Sequence, residues 1–507
     1  MKRKQVVLNI IANLISVLVS MLISFFLTPY IVRNIGKEAF SFVPISSNFT
    51  SYMTVLTISL TSMTSRFVTL KIHKNDMESA NEFYSTSFYA NLALSGIISI
   101  LFVIIYFFLD KIINIPSGIL TDVKMLFAIM FVSFIINLST TSFSVAAFCM
   151  NRLDVSSTIS IIGSFARVFV IFLTFTFLQP KIYYIGLSIL VVTIIQGLSN
   201  LLISKRIIPK LKISFNKVKI KALNELFSSG IWNSFNALSY ILLTGLDLVI
   251  ANIMLGSSAA GTLAVAKTAP MALQTLITVV PTTFSPYLTI LYAKEDSKAF
   301  LSELMYILKF TSIIIGIPIA GFIALNSAFF KLWVPSVASS EMSILALLTM
   351  ISMVASFSIM PLTFIFTITN RLKWPSIFIF LTGILNVSIE LLLISKTNLG
   401  LYAIAGTSSV LEIFRCLVFV PIYSAQCLNL KRTIFFNFIK RSLIYMVTII
   451  SIFSLIASIF PIHSWIQMIL NASIMSIIGI LVGTSITLND EEKKKTKIIL
   501  KNLARKS

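Results

Sequence analysis

Four cations fall inside stretches apolar enough to cross a bilayer: Arg167, Lys267, Lys309 and Arg415. A charge at that depth is costly unless it is paired or hydrated, so each is a candidate either to bind an anion or to brace the fold. Asp247 and Lys267 form the most informative pair, since each lies ten residues from Ser257 in a short turn between two apolar runs. An antiparallel hairpin puts both at one depth, about 10 Å inside the outer end at roughly 1.5 Å rise per residue. Two readings stand: a permanent ion pair, or a lysine that leaves Asp247 when an anionic ligand arrives. Arg66 stands just past the apolar run 39–64, where a cavity open to the inside first meets its ligand; a snorkelling interface anchor is the alternative. Arg167 falls mid-run with no acid nearby in sequence, and reads as a ligand contact or as a brace. Arg33 and Lys37 flank the outer end of the first run, either attracting an emerging anion or simply serving a turn. Glu412 and Arg415, spaced i,i+3, are expected to pair, while Glu390 and Lys309 near run ends read as anchors.

The neutral polar residues are patterned as well. Asn9, Asn13, Ser16, Ser20, Ser24 and Thr28 recur at helical spacing along one stripe of the first run. Ser229, Asn233, Asn236, Tyr240 and Thr244 repeat the stripe at an offset of 220. Unpaired polar groups in hydrocarbon are costly, so matched stripes predict two helices facing a polar cavity. The second run is rich in Ser and Thr, and the eighth carries Lys267, Gln274, Thr278, Thr282, Thr283 and Ser285. Interhelical glue by small hydroxyl residues is the competing explanation. Pro29, Pro44, Pro270, Pro281 and Pro286 mark bends that a gate would use.

The elements that must carry these residues are membrane spans. The chain of 507 residues is 57% hydrophobic and only 11% charged, against about a quarter charged in soluble domains. Mean hydropathy is +0.95. Runs of spanning length fall at roughly 6–32, 39–64, 84–108, 124–148, 156–178, 183–204, 225–254, 261–291, 303–327, 342–368, 376–395, 401–426, 442–460 and 466–488. The first continues too long for a cleaved signal peptide. With the N-terminus inside, 29 of the 40 Lys and Arg lie in inner segments, 7 lie outside and 4 lie within spans. The net charge of +22 therefore reads as a topology signal and a contact with anionic lipid heads rather than a nucleic-acid surface.

An internal repeat organises the chain. Ile35-Gly36 answers Leu255-Gly256, SRFVTL at 65–70 answers SPYLTI at 285–290, Lys74 and Asp76 answer Lys294 and Asp296, and Asn151-Arg152-Leu153 returns as Asn370-Arg371-Leu372. At the offset of 219 that relates the two NRL loops, Arg167 answers Asn386. Six spans per copy give the copies one orientation, a transporter plan with the site between halves. The expected architecture is an all-α polytopic membrane protein of about fourteen transmembrane helices, two parallel six-helix repeats plus two C-terminal helices. Its parts are an N-lobe at 1–204, a basic cytoplasmic linker at 205–224, a C-lobe at 225–426, two further spans at 427–488 and a basic cytoplasmic tail at 489–507.

Catalytic signatures do not stand out. The chain shows no Walker loop and no nucleophile elbow; Cys149, Cys416 and Cys427 have no metal-like or redox spacing, and His73 and His463 read as loop residues. The protein is expected to be no enzyme and to need no cofactor. Without an ATP site, transport would draw on an ion gradient, the membrane potential or the substrate's own gradient.

FFLTPYIVRNIGKEAFSF (25–42), SRFVTL (65–70), the two NRL loops and DLVIANIMLGSSAAGTLAVAKTAP (247–270) resemble the Wzx-type polysaccharide flippases of the multidrug/oligosaccharidyl-lipid/polysaccharide (MOP) exporter superfamily. The similarity covers essentially the whole length. It implies a MATE-like fold in the cytoplasmic membrane with both termini cytoplasmic. It also implies translocation of an undecaprenyl-pyrophosphate-linked oligosaccharide repeat unit, for O-antigen or capsule, from inner to outer leaflet by alternating access, with a glycan polymerase as a partner. Basic residues then hold the pyrophosphate: Arg66 and Lys267 first, with Arg167 and Arg33 behind them. Asp247, Asn9, Asn13, Ser16, Ser20, Asn233, Asn236, Tyr240 and Gln274 become cavity or gating residues, and the last two spans a groove for the prenyl tail. Rival readings are a multidrug or cation antiporter, which would want acids in the first lobe, and a flippase of a peptidoglycan precursor. A membrane glycan polymerase or ligase would need a large outer loop, and no outer loop here exceeds about fifteen residues.

Overall fold

A computed structural model describes residues 3–282, 284–293 and 296–494, and among these the secondary structure is entirely helical. Thr283, Lys294 and the basic tail beyond residue 494 lie outside the described residues. Among the described residues eleven helices are long and apolar enough to cross a membrane, and thirteen when each of two bent pairs is taken as one span. The stretch Ile11–His73, 63 residues long, is broken at Gly36, so it holds two spans and the number becomes fourteen.

The repeat is written into the backbone. Gly36 (φ 80, ψ 161) and Gly256 (φ 93, ψ 170) close the first and seventh spans with the same conformation, one that a side chain would strain. Asn151 (φ 54) and Asn370 (φ 55) take left-handed conformations in the two NRL loops, and the following arginine amide bonds five residues back in each, Arg152 to Ala147 and Arg371 to Phe366, both at 2.8 Å. Asp76 and Asp296 each cap the next helix, accepting from the amides of Ser79 (3.1 Å) and Ala299 (3.0 Å). Each pair was expected to match, and each does so through the same local chemistry.

Contacts divide the chain into two compact units, Met1–Ala264 and Val265–Ser507. In the first unit the helix Ile220–Tyr240 lies directly on the second span. A Cβ built on Gly230 would sit 2.1 Å from the carbonyl oxygen of Ser59, so only glycine permits this approach. The first unit's core includes Leu60, Val68, Tyr84, Val145 and Leu226, joined by Ile208 and Leu211 of the linker.

In the second unit Ser297–Trp333, Phe436–Ile459 and Trp465–Thr487 share a core around the fully buried Tyr445. Its hydroxyl donates toward the carbonyls of Ile313 (3.4 Å) and Gly479 (3.3 Å). Beside that core lies an apolar cavity of about 580 Å³, lined by Leu273, Ile317, Phe322, Phe453, Met468 and Met475 among others.

Candidate functional site

The stripe on the first span is largely engaged inside its own unit. Asn9 is buried; its amide donates to the backbone carbonyl (2.9 Å) and side-chain oxygen (3.0 Å) of Asn151, and its own oxygen accepts from the amide of Asp154 at 3.1 Å. The first span is thereby pinned to the loop that enters the fifth. Ser20 shares a hydrogen bond with Ser164 at 3.2 Å, Ser16 is buried and Asn13 is exposed. The expectation that this whole stripe lines a cavity is therefore corrected: polar groups at helical spacing mark a wet face and an interhelical seam equally well, and Asn9 and Ser20 belong to a seam.

The stripe on the seventh span meets the second. Asn233 donates to Ser62 at 2.9 Å and Ser234 to the carbonyl of Val55 at 2.8 Å; Asn236 is half-buried and Tyr240 exposed. One turn on, Ile241–Gly245 forms a π-turn and the axis bends by 42° into Asp247–Leu255. Wide turns of this kind recur at functional sites. Here the carbonyl of Gly245 is taken by two donors of the second span, Asn48 (3.1 Å) and the hydroxyl of Tyr52 (2.7 Å). Asp247 opens the next helical segment and is buried, where the helix dipole favours a carboxylate.

Arg167 lies mid-span in Leu153–Phe177, half-buried, with a buried Nε. It stands four residues from Gly163, which faces Val192 and Gln196, and three from Ser164, which faces Ser20. Helical geometry thus aims it between the first and sixth spans, into the unit's interior. Among the described residues it makes no hydrogen bond and no ion pair. Arg33 and Arg66 are exposed. In the second unit Lys267 is half-buried and Gln274 exposed.

Other intramembrane charges described there engage neighbouring side chains. Arg415 and Glu412 pair as the spacing predicted, with Nε donating to Oε2 at 2.7 Å, inside a second π-turn at Arg415–Phe419. Lys309 and Glu390, read from sequence as anchors near run ends, are both buried. Lys309 is buried on Glu492, which follows the last span (2.8 Å), and Glu390 is fully buried and accepts from Asn386 at 2.8 Å.

At the end of the first unit that holds Gly36 and Gly256, the two repeat-related turns touch. Ser257 donates to the carboxylate of Glu38, and Lys37 donates to the hydroxyl of Thr262 at 2.9 Å. A Cβ on Gly261 would lie 2.5 Å from the carbonyl of Lys37. Beside them Asn114 and Asn252 clasp reciprocally, through bonds of 2.7, 2.8 and 3.2 Å. Glu38, Tyr52, Asn114 and Asn252 were not singled out from sequence; the repeat relation of Gly36 to Gly256 was the one available signal for that contact.

Apolar helices of spanning length, paired glycine turns and interior polar seams define, among the described residues, an all-helical polytopic membrane protein. The structure is similar to an inward-facing multidrug resistance MATE family transporter of the MOP superfamily, with a TM-score of 0.65 and 13% identity over 83% of this chain and 98% of that one. It is equally similar to the lipid II flippase MurJ in an inward closed conformation, at a TM-score of 0.65 and 15% identity over 95% of this chain and 98% of that one. Residues 6–291 match the family described as polysaccharide biosynthesis protein; this is more than half of the chain, and the chain belongs to that family. It is 29% identical over 472 residues to the uncharacterized membrane protein EpsK of Bacillus subtilis (strain 168), covering 92% of this chain and 93% of that protein.

Proposed function

We propose that the protein is a flippase that carries an undecaprenyl-pyrophosphate-linked oligosaccharide from the inner to the outer leaflet by alternating access. Arg167 carries this reading: a guanidinium held inside the first unit with no carboxylate on it among the described residues suits an anion that comes and goes. Arg66, Arg33 and Lys267 are the other proposed pyrophosphate contacts, with Asn13, Asn236, Tyr240 and Gln274 available to sugar hydroxyls. The apolar cavity of about 580 Å³ beside the last two spans suits a prenyl tail. Family membership supports the polysaccharide assignment, and the shared fold supports transport. The distribution of Lys and Arg supports an orientation with both termini on the cytoplasmic side.

The test is reconstitution in liposomes with a fluorescent lipid-linked oligosaccharide and an assay of which leaflet exposes it. Movement that falls at least tenfold in Arg167→Ala, with the protein still folded and inserted, supports the proposal. Efflux of a cationic drug without movement of the lipid-linked sugar overturns it in favour of an antiporter.

A further inference from the structure

The segment from the sixth to the seventh span carries Lys205, Arg206, Lys210, Lys212, Lys217, Lys219 and Lys221. Such runs commonly form loose loops, but this one is strapped along the helix Met77–Phe107. The side chain of Asn81 donates to the carbonyl of Lys210 (3.2 Å) and accepts from the amide of Lys212 (2.7 Å). Ser85 accepts from the amide of Ser214 and Thr86 from that of Lys219, both at 3.1 Å. Leu211 is buried in the core, closing a turn with its amide on the carbonyl of Ile208 (3.0 Å), while Lys210 and Lys212 on either side are exposed. Among the described residues only Lys219 of the seven has an ion pair, with Glu82 at 3.1 Å.

Between these cations stand Phe215, 71% exposed, and Ile220, 77% exposed. The Phe215 ring meets Tyr89 of the same spanning helix edge to face, at 5.3 Å between centroids. The strap therefore runs beside the first turns of a transmembrane helix, with apolar side chains exposed among its cations. A soluble anion would have no use for Phe215 and Ile220. We infer that this strap is a binding site for anionic phospholipid, with Lys210, Lys212, Lys217 and Lys221 on lipid phosphates and Phe215 and Ile220 among the acyl chains. The inference does not rest on transport.

The full-length protein, purified in neutral detergent, is mixed with phosphatidylglycerol and phosphatidylcholine, and retained lipid is counted by native mass spectrometry. The wild type should retain phosphatidylglycerol preferentially, and added salt should weaken that retention. Replacing Lys210, Lys212, Lys217 and Lys221 together by Gln should weaken it about tenfold or more, at a surface attraction typical of clustered lysines. The side chains are exposed or nearly so, and an unchanged melting curve confirms that the variant folds. Phe215→Ser with Ile220→Ser should weaken retention of both lipids. Inorganic phosphate at matched ionic strength should neither displace the lipid nor protect the amides of 210–219 from exchange. Equal retention by wild type and the four-lysine variant overturns the proposal; so does full displacement by phosphate, which would mark a plain anion site.

Discussion

Tyr52 donates its hydroxyl to the carbonyl of Gly245 at 2.7 Å, tying the second span to the bend in the seventh. Asn48 donates to the same oxygen at 3.1 Å, so the carbonyl at the end of the π-turn is doubly held by one neighbouring helix. Tyr52→Phe is expected to destabilise the protein by about 1 kcal/mol. Asn48→Ala with Tyr52→Phe should cost more than the two changes summed, since only then is the carbonyl left without either donor. A double-mutant cycle read by thermal unfolding in detergent checks this, and strict additivity would deny that the two act on one group.

Gly230→Ala places a methyl 2.1 Å from the Ser59 carbonyl oxygen, and Gly261→Ala one 2.5 Å from that of Lys37. Both clashes are with backbone, which cannot rotate aside, so a loss of about 1–3 kcal/mol is expected for each. Gly96→Ala is the control, with nothing within 4 Å of the added carbon. Monodispersity and melting temperature of the three variants should separate the first two from the third.

Arg167 gives a prediction with opposite signs for stability and transport. Its buried Nε has no hydrogen-bond partner among the described residues, so Arg167→Met should leave the melting temperature unchanged or raise it, as removal of uncompensated buried charge does. Transport of the lipid-linked sugar should fall all the same. A brace would behave otherwise, losing stability and activity together.

Asp76 and Asp296 cap repeat-related helices, and replacement of either by Ala should lower the melting temperature while Asn is better tolerated. The hydrogen bonds from Ser79, with Lys71 beside them, hold the Asp76 carboxyl below its ordinary range. A group depressed by folding stabilises above its unfolded value, near 4, and that contribution disappears as pH falls through the folded one. Melting curves should therefore show a constant gap between Asp76→Ala and the wild type from neutral pH down to about 4, and convergence of the two only at lower pH.

The sequence revealed most of what is repeated and little of what is unique. Spans were visible because twenty apolar residues in a row have few other uses, and Gly36 with Gly256 because a matched pair at one offset is hard to produce by chance. The i,i+3 spacing of Glu412 and Arg415 was enough to pair them. The π-turns at Ile241–Gly245 and Arg415–Phe419 left no trace, since one extra residue in a turn changes neither composition nor hydropathy. The engagement of Asn9 by Asn151 was also hidden: the stripe showed which face was polar, but the partner stands 142 positions away. The same holds for Asn114 and Asn252, two unremarkable asparagines in sequence that complete each other only in three dimensions.

The strap leaves the chain almost no slack. The amide of Lys219 is fixed on Thr86, and the next residue already begins the helix Ile220–Tyr240. The base of that helix is therefore moored, and a rocking motion of its far half cannot be fed by paying out connector. In the alternating access proposed above, the wide turn before Asp247, where the axis already bends by 42°, is the place where the upper segment is expected to pivot.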